Sequence, residues 1–275
     1  MYPQVLENDE SRDYFAENEF FDGKFNFVHV YLHGNYRYKM HSHQFYEINL
    51  IMSGEGRHYI ENSSLDTGVG DVFVIPPGVR HGYFSEGRLD VYHILIKNDF
   101  LARYSEELSE IEGFDLLFDF EPTIRRSSGR ELNLNVGHGE LSLFIRELER
   151  MAAVESSRRF VYLNALTMEF ICRLGKRISR RVSTAPESEI VSVMEYVKAN
   201  LDEKITLDLL CELAHTSPAT LNRRFRAVVG ASPMGYVLSA RVTRARELLA
   251  EGRMSRTDIA QECGFYDLAH MNKYL

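Results

Sequence analysis

A change of periodicity close to residue 98 divides this chain and limits what it can fold into. Before that point, short aromatic and β-branched runs at 25–32, 45–52, 57–60, 72–75 and 91–96 are separated by glycine, proline or polar turns. Many short strands at close spacing predict a sandwich or small barrel. After it, apolar residues recur three and four positions apart: Leu141, Phe144, Ile145 and Leu148, then Leu163, Leu166, Phe170, Ile171 and Leu174. That spacing predicts helices over 140–154 and 158–180, preceded by shorter pieces at 99–108 and 113–118 and a polar turn near 127–130. Residues 180–187 lack an apolar period and contain Pro186, which reads as a linker. Everything beyond is helical, over 189–200, 207–214, 218–229, 233–250, 256–263 and from 268 onward. The expected organisation is multidomain α+β, with a first domain at 1–180, a linker at 181–188 and an all-helical domain at 189–275.

The 275 residues suffice for two such domains, each with its own core, and a 44% hydrophobic, 26% charged composition excludes wholesale disorder. No apolar run approaches the roughly 20 residues needed to span a bilayer. The acidic, polar N-terminus does not read as a signal peptide, so a cytoplasmic protein with no membrane partner is expected. Cys172, Cys211 and Cys263 are odd in number and far apart, which argues against a disulfide framework or zinc finger and for buried thiols.

Positive charge is unevenly placed. The net charge is −8, yet residues 215–256 hold eight arginines against only Glu247 and Glu251. Local basicity of this kind is what a phosphate backbone attracts. In the same region, helices at 207–214 and 218–229 flank a short turn, a helix-turn-helix pattern. Leu221, Phe225 and Val228 share one face of the second helix, opposite Ala219, Thr220, Arg223 and Arg226, with Asn222 on the flank. Arginine suits guanine, asparagine suits adenine, and threonine suits phosphate or a thymine methyl. A helical hairpin with a solvated arginine face gives the same pattern; repetition favours the DNA-reading unit. The helix, a Cys263-Gly264-Phe265 turn and a second helix from Leu268 recur about fifty residues later, joined by a long helix. Ser217-Pro218 and Ser232-Pro233 supply helix starts, as does Ser255 with Asp258, and Gly230, Gly252 and Gly264 supply stops.

Residues 205–275 resemble the DNA-binding domain of the AraC/XylS family. The matching residues are Leu213-Ala214, Ser217, Leu221, Arg224-Phe225, Gly230, Ser232-Pro233, Tyr236, Arg241, Ala245, Leu248-Leu249, Ile259-Ala260 and Gly264-Phe265. The resemblance places base-facing positions at Ala219, Asn222 and Arg223, then at Ala269 and Lys273. With the exposed-face reading, the candidate DNA-contacting set is Ala219, Thr220, Asn222, Arg223, Arg226, Ala269, Asn272 and Lys273. Met271 and Leu275 stand where the family usually has phenylalanine. The family usually continues past the point where this chain stops, so the second unit is expected to be truncated.

Upstream, His41-Ser-His43-x3-Glu47-x6-Gly54 is followed by Gly70-x5-Pro76-x-Gly78-x2-His81. His41, His43 and Glu47 have one parity and on a single strand would face the same side. Imidazole and carboxylate suit Zn, Ni, Mn or Fe, and suit hydrogen bonding to an effector equally. Both runs are similar to the cupin signature motifs, over about 20–97, which implies a double-stranded β-helix barrel and metal ligands at His41, His43, Glu47 and His81. Ser85 replaces an asparagine frequent at the end of the second motif, and Asn35 replaces a glycine before the first. Tyr46 and Arg80 complete the expected effector pocket, with His58 and Tyr83 as further lining.

The combined resemblance implies a DNA-binding transcription regulator and not an enzyme. Its barrel senses a small polar effector, a carbohydrate or derivative, with one divalent metal as an optional cofactor. It binds double-stranded promoter DNA, pairs as a homodimer through helices 140–154 and 158–180, whose spacing alone would equally allow packing onto their own barrel, and as an activator would engage RNA polymerase. The competing readings are a metal-cupin isomerase or dioxygenase and a metal sensor.

Overall fold

The computed structural model describes residues 13–21, 26–32, 35–61, 63–128, 134–156, 160–182 and 187–275. Its contacts divide at Thr184/Ala185 into two units. The first carries strands β1 (Tyr14–Phe15), β2 (Phe27–Leu32), β3 (Asn35–His43), β4 (Tyr46–Ile60), β5 (Ser63–Gly68), β6 (Val72–Ile75) and β7 (His81–Ile96). Helices α1 (Asn98–Arg103), α2 (Ser105–Ser109), a π-helical turn at Leu116–Phe120, α3 (Glu121–Ser128), α4 (His138–Ser156) and α5 (Phe160–Val182) follow.

Strands β4 and β7 are antiparallel partners long enough to serve two sheets. The first half of β4 and the second half of β7 sit between β2 and β6. The other halves sit between β3 and β5, with β1 added parallel to β3. Register shifts at Ile51/Ser53 and Gly54/Arg57 mark where the pair passes from one sheet to the other, since an extra residue bends a strand and raises its twist. Gly54 sits at that corner with φ +81°, and a Cβ there would lie 1.7 Å from the Arg88 carbonyl oxygen. Only glycine fits both demands.

Alternation then sorts the side chains. Ile51, Ile60, Phe73, Ile75, Val79, Tyr83, Leu89 and Val91 fill the barrel interior, and Phe15, Phe20, Phe21, Val28, Val30, Phe45 and Leu95 form a second apolar cluster. The opposite face of β2 and β7 meets α4 and α5. There the Tyr92 hydroxyl donates to Leu148 O at 3.1 Å, and His29 Nε2 lies 3.1 Å from Thr167 Oγ1. Thr167 gives its own proton to Leu163 O, so it accepts from His29.

The expected runs 45–52 and 57–60 are thus one strand, and 91–96 is the end of another. Strands β3 and β5 are mostly polar, so hydrophobic patterning did not mark them. The polar turn expected near 127–130 is in part helical, because α3 continues through Ser128; the rest of it lies outside the described residues. The expected linker, 181–188, overlaps helix at both ends, since α5 runs to Val182 and α6 begins at Ser188; 183–186 lie outside the described residues.

The second unit is all helix: α6 (Ser188–Ala199), α7 (Leu207–Leu213), α8 (Pro218–Val229), α9 (Pro233–Glu251), α10 (Arg256–Glu262) and α11 (Leu268–Asn272). The starts follow side-chain chemistry. Ser217, Ser232 and Ser255 accept from the backbone N–H of Thr220, Gly235 and Asp258, and Pro218 and Pro233 follow their caps. Helices α8 and α9 stop at Gly230 and Gly252, both left-handed.

Burial lowers the pKa of His29 from 6.5 to about 3. Between those values the unfolded chain binds a proton that the folded chain refuses, so stability falls as pH drops from 6.5 toward 3, by about 1.4 kcal/mol per pH unit for this group. His29→Gln is expected to flatten that acid limb by one proton in denaturant titrations at stepped pH; an unchanged slope would clear His29 of the effect.

Candidate functional site

His41 and His43 end β3, the chain bends through Gln44 and Phe45, and Glu47 belongs to β4. The three therefore do not share one strand, and common parity does not explain their meeting. They converge because β3 and β4 both pair with β7: His41 stands opposite His81, and Glu47 opposite Leu95. All four expected ligands are buried. One donor atom each from His41, Glu47 and His81 lie within 4.8 Å of one another. His43 stands beside them, with Nε2 3.3 Å from Glu47 Oε2.

The hydrogen bonds define which nitrogen each ring turns inward. His41 Nδ1 meets Lys39 O at 3.0 Å, His43 Nδ1 meets Phe45 O at 2.7 Å, and His81 Nδ1 meets Val79 O at 3.3 Å. A carbonyl only accepts, so each Nδ1 carries the proton and each Nε2 presents a lone pair. Yet Nε2 of His81 lies 2.9 Å from Glu47 Oε2, and His43 faces the same oxygen. A neutral ring has one proton and cannot satisfy two acceptors. Three arrangements satisfy these contacts: an imidazolium ring, a ring whose proton turns from the carbonyl to Glu47, or a cation among these atoms. Burial opposes imidazolium at His81, lowering its pKa against the pull of Glu47. At His41 burial and then the charge of His81 lower the pKa to about 3. Burial pushes Glu47 upward, but the charge of His93 and hydrogen bonds from His43, His81 and His93 outweigh it and hold the carboxyl well below the usual range. Imidazole nitrogens beside an ionised carboxylate are the donor set that Zn, Ni, Mn or Fe takes, and backbone-anchored Nδ1 atoms are how ligating histidines are held. The residues fit a divalent ion.

Two expected pocket residues are not brought to this cluster. Tyr46 alternates with Glu47 and packs on Phe118 instead, ring centroids 6.0 Å apart. Arg80 alternates with His81 and is exposed, reaching Met40 O at 3.4 Å. His58 and Tyr83 are inside, stacked with centroids 4.3 Å apart, and both His58 nitrogens are buried without a hydrogen-bond partner among the described residues. Sequence reasoning missed His93, whose Nδ1 lies 2.6 Å from Glu47 Oε1, and Asn49, which donates to the Tyr83 hydroxyl at 3.0 Å. Parity was the available signal: His93 keeps the odd numbering of His81 and Tyr83 on β7, and Asn49 is two residues beyond Glu47.

In the helical unit, α8 buries Leu221, Phe225, Val228 and Val229. Ala219, Arg223 and Arg226 are exposed, and Thr220 and Asn222 are half-buried. Asn222 Nδ2 donates to Pro218 O at 2.9 Å. At α11, Ala269, Asn272 and Lys273 are exposed and Met271 is fully buried where the resemblance expected phenylalanine. Asn272 Oδ1 accepts from Arg256 at 2.7 Å, and Lys273 lies over the Tyr274 ring. Helix α9 packs on α7, α8 and α10, and Val242, Ala245 and Leu248 on it join Ile259, Ala260, Cys263, Phe265 and Met271 in one core. Arg241, also on α9, donates to Leu201 O at 3.0 Å and Glu203 O at 2.6 Å. Gly264 allows this close passage, since a Cβ there would lie 2.1 Å from Leu201 O.

Comparison with known families follows the same division. The helix-turn-helix domain family matches residues 210–275, and the AraC-like ligand binding domain family matches residues 27–164, half of the chain. The chain belongs to the AraC family. Like its relatives, this AraC-family protein is a DNA-binding transcription regulator with an N-terminal ligand-binding domain, and AraC-family regulators are not enzymes. It is 26% identical over 234 residues to the HTH-type transcriptional activator RhaR of Escherichia coli, covering 82% of this chain and 79% of that one. Among solved structures, apo ToxT from Vibrio cholerae is 15% identical, with 90% and 92% of the chains covered and a TM-score of 0.40. The AdpA DNA-binding domain in complex with target DNA is 27% identical over 31% of this chain and 78% of that one, TM-score 0.31. Among the described residues no helix is long and apolar enough to cross a membrane.

Arg241→Ala is expected to destabilise the helical unit by about 2 kcal/mol, the range for hydrogen bonds from a charged group, read by urea unfolding. A loss below about 0.5 kcal/mol, that of an unconstrained surface change, would mean the two carbonyl contacts do not anchor α9.

Proposed function

We propose that this regulator reads promoter DNA with α8 and α11 and that a small polar effector in the barrel governs the reading. The observation carrying this is the split of α8: an apolar face held in the core, and Ala219, Arg223 and Arg226 turned to solvent with Thr220 and Asn222 at their flank. Ala269, Asn272 and Lys273 offer the matching face of α11. With α9 as rigid connector, the two helices enter successive major grooves, about 34 Å apart, on one face of double-stranded DNA. Occupancy of the barrel acts by differential affinity for two arrangements of the reading heads.

A carbohydrate is the effector class that best suits an interior of histidine, asparagine and tyrosine. One divalent ion, Zn, Ni, Mn or Fe, belongs with it on His41, Glu47 and His81, with His43 adjacent; when bound it supplies a fixed positive charge and open positions for oxygen donors. Homodimerisation runs through α4 and α5, where Leu143, Val161 and Tyr162 are exposed. The protein works in the cytoplasm as an activator that engages RNA polymerase.

Arg223→Ala is expected to remove selective promoter binding while leaving melting temperature and weak non-selective binding intact, in anisotropy titrations at several salt concentrations. Retained selectivity would exclude Arg223 from base reading. The double substitution of His41→Ala and His81→Ala is expected to alter the response to sugars more than basal DNA binding. Equal loss of both in a folded variant would count against a sensing barrel.

A further inference from the structure

The cupin signature assigns no role to His93. It lies on β7 opposite Asn49 and two residues before Leu95, which faces Glu47, so it is the diagonal neighbour of Glu47 on the inner face. Its side chain is 6% exposed and that of Glu47 7%. The contact between them, 2.6 Å from Nδ1 to Oε1, is the shortest that Glu47 makes among the described residues.

His93 is oriented opposite to the three signature histidines. Those rings spend Nδ1 on a backbone carbonyl and turn Nε2 to the cluster. His93 turns Nδ1 to the carboxylate. An ionised carboxylate only accepts, so this nitrogen is a donor and carries no lone pair for an ion. The two carboxylate oxygens are thereby divided: Oε1 goes to His93, while Oε2 faces His81 at 2.9 Å, His43 at 3.3 Å and Asn49 at 3.4 Å. Without His93 the carboxylate can rotate about its last bond and expose either oxygen to the cluster.

We propose that His93 is the positioning residue of a divalent transition-metal centre in this barrel, holding Glu47 by Oε1 so that Oε2 joins His41 and His81. This rests on the metal reading given above and extends it to a residue outside the signature. Partners of ligating carboxylates set metal affinity without joining the coordination sphere, and losing one costs about 10–100-fold.

The test uses the full chain, stripped with chelator and titrated with Co(II) and Zn(II), following Co(II) absorption and thermal stability. Wild type is expected to bind one ion per chain. His93→Leu is expected to weaken binding about 10–100-fold with one ion still taken up and the same Co(II) spectrum at saturation, because no ligand is lost. His93→Gln keeps an N–H toward Glu47 and recovers most of the affinity. His41→Ala, a ligand change, alters the Co(II) spectrum. Far-UV circular dichroism checks that each variant folds, and His93→Ala, which also lacks the donor, serves if the leucine variant does not fold. Wild-type affinity in a folded variant that lacks the donor to Glu47 overturns the positioning role, as does a His93→Leu spectrum showing a lost ligand or a folded His93→Gln variant as weak as His93→Leu. If wild type binds neither ion, the metal reading itself fails and takes this role with it, while the promoter-binding reading stands on its own experiment.

Discussion

A carboxylate removed from water costs several kcal/mol unless positive groups meet it, and the barrel interior is arranged around meeting Glu47. Its two oxygens draw contacts from His43, His81, His93 and Asn49, which lie on three strands. That gathering is possible because β4 and β7 each serve both sheets. One half of β7 delivers His81 opposite β3, and the other delivers His93 opposite the start of β4. The corner at Gly54 is what lets one strand do both. The bend in the backbone and the charge in the interior are thus one arrangement, and a side chain at Gly54 would disturb the second by blocking the first.

Basic charge in the helical unit divides by a similar logic. The arginine-rich stretch looks uniform as a string, but its members have different work. Arg224 pairs with Glu189, and Arg241 reaches the carbonyls of Leu201 and Glu203. Arg223 and Arg226 are exposed. Two arginines therefore hold helices in place and two face outward from the same short span. Local charge excess overstates the surface offered to phosphate, because part of it is already spent within the protein.

The helical half was legible almost to the residue. Pro218–Val229 was read as it stands, since serine caps, prolines at the first turn and glycine stops are local signals that depend on backbone hydrogen bonds within a few positions. The barrel was legible as a class but not in its strands. β3 and β5 are polar and escaped hydrophobic patterning, and β7 is far longer than its apolar end. In the site, the four signature residues did assemble, while Tyr46 and Arg80 did not. Both are one position out of phase with a cluster residue, and in a strand one position means the opposite face.

The order of short apolar runs, helix caps and the spacing of His41, His43, Glu47 and His81 were enough to determine two domains, their fold classes and the family, because each is written in neighbouring residues. Which oxygen of Glu47 meets which ring, that His93 and Asn49 belong with it, and which arginines remain at the surface were decided only by tertiary structure. Those outcomes depend on pairing register and bends that bring together residues up to 46 positions apart, and register is set by how whole strands pack, not by any local run of residues.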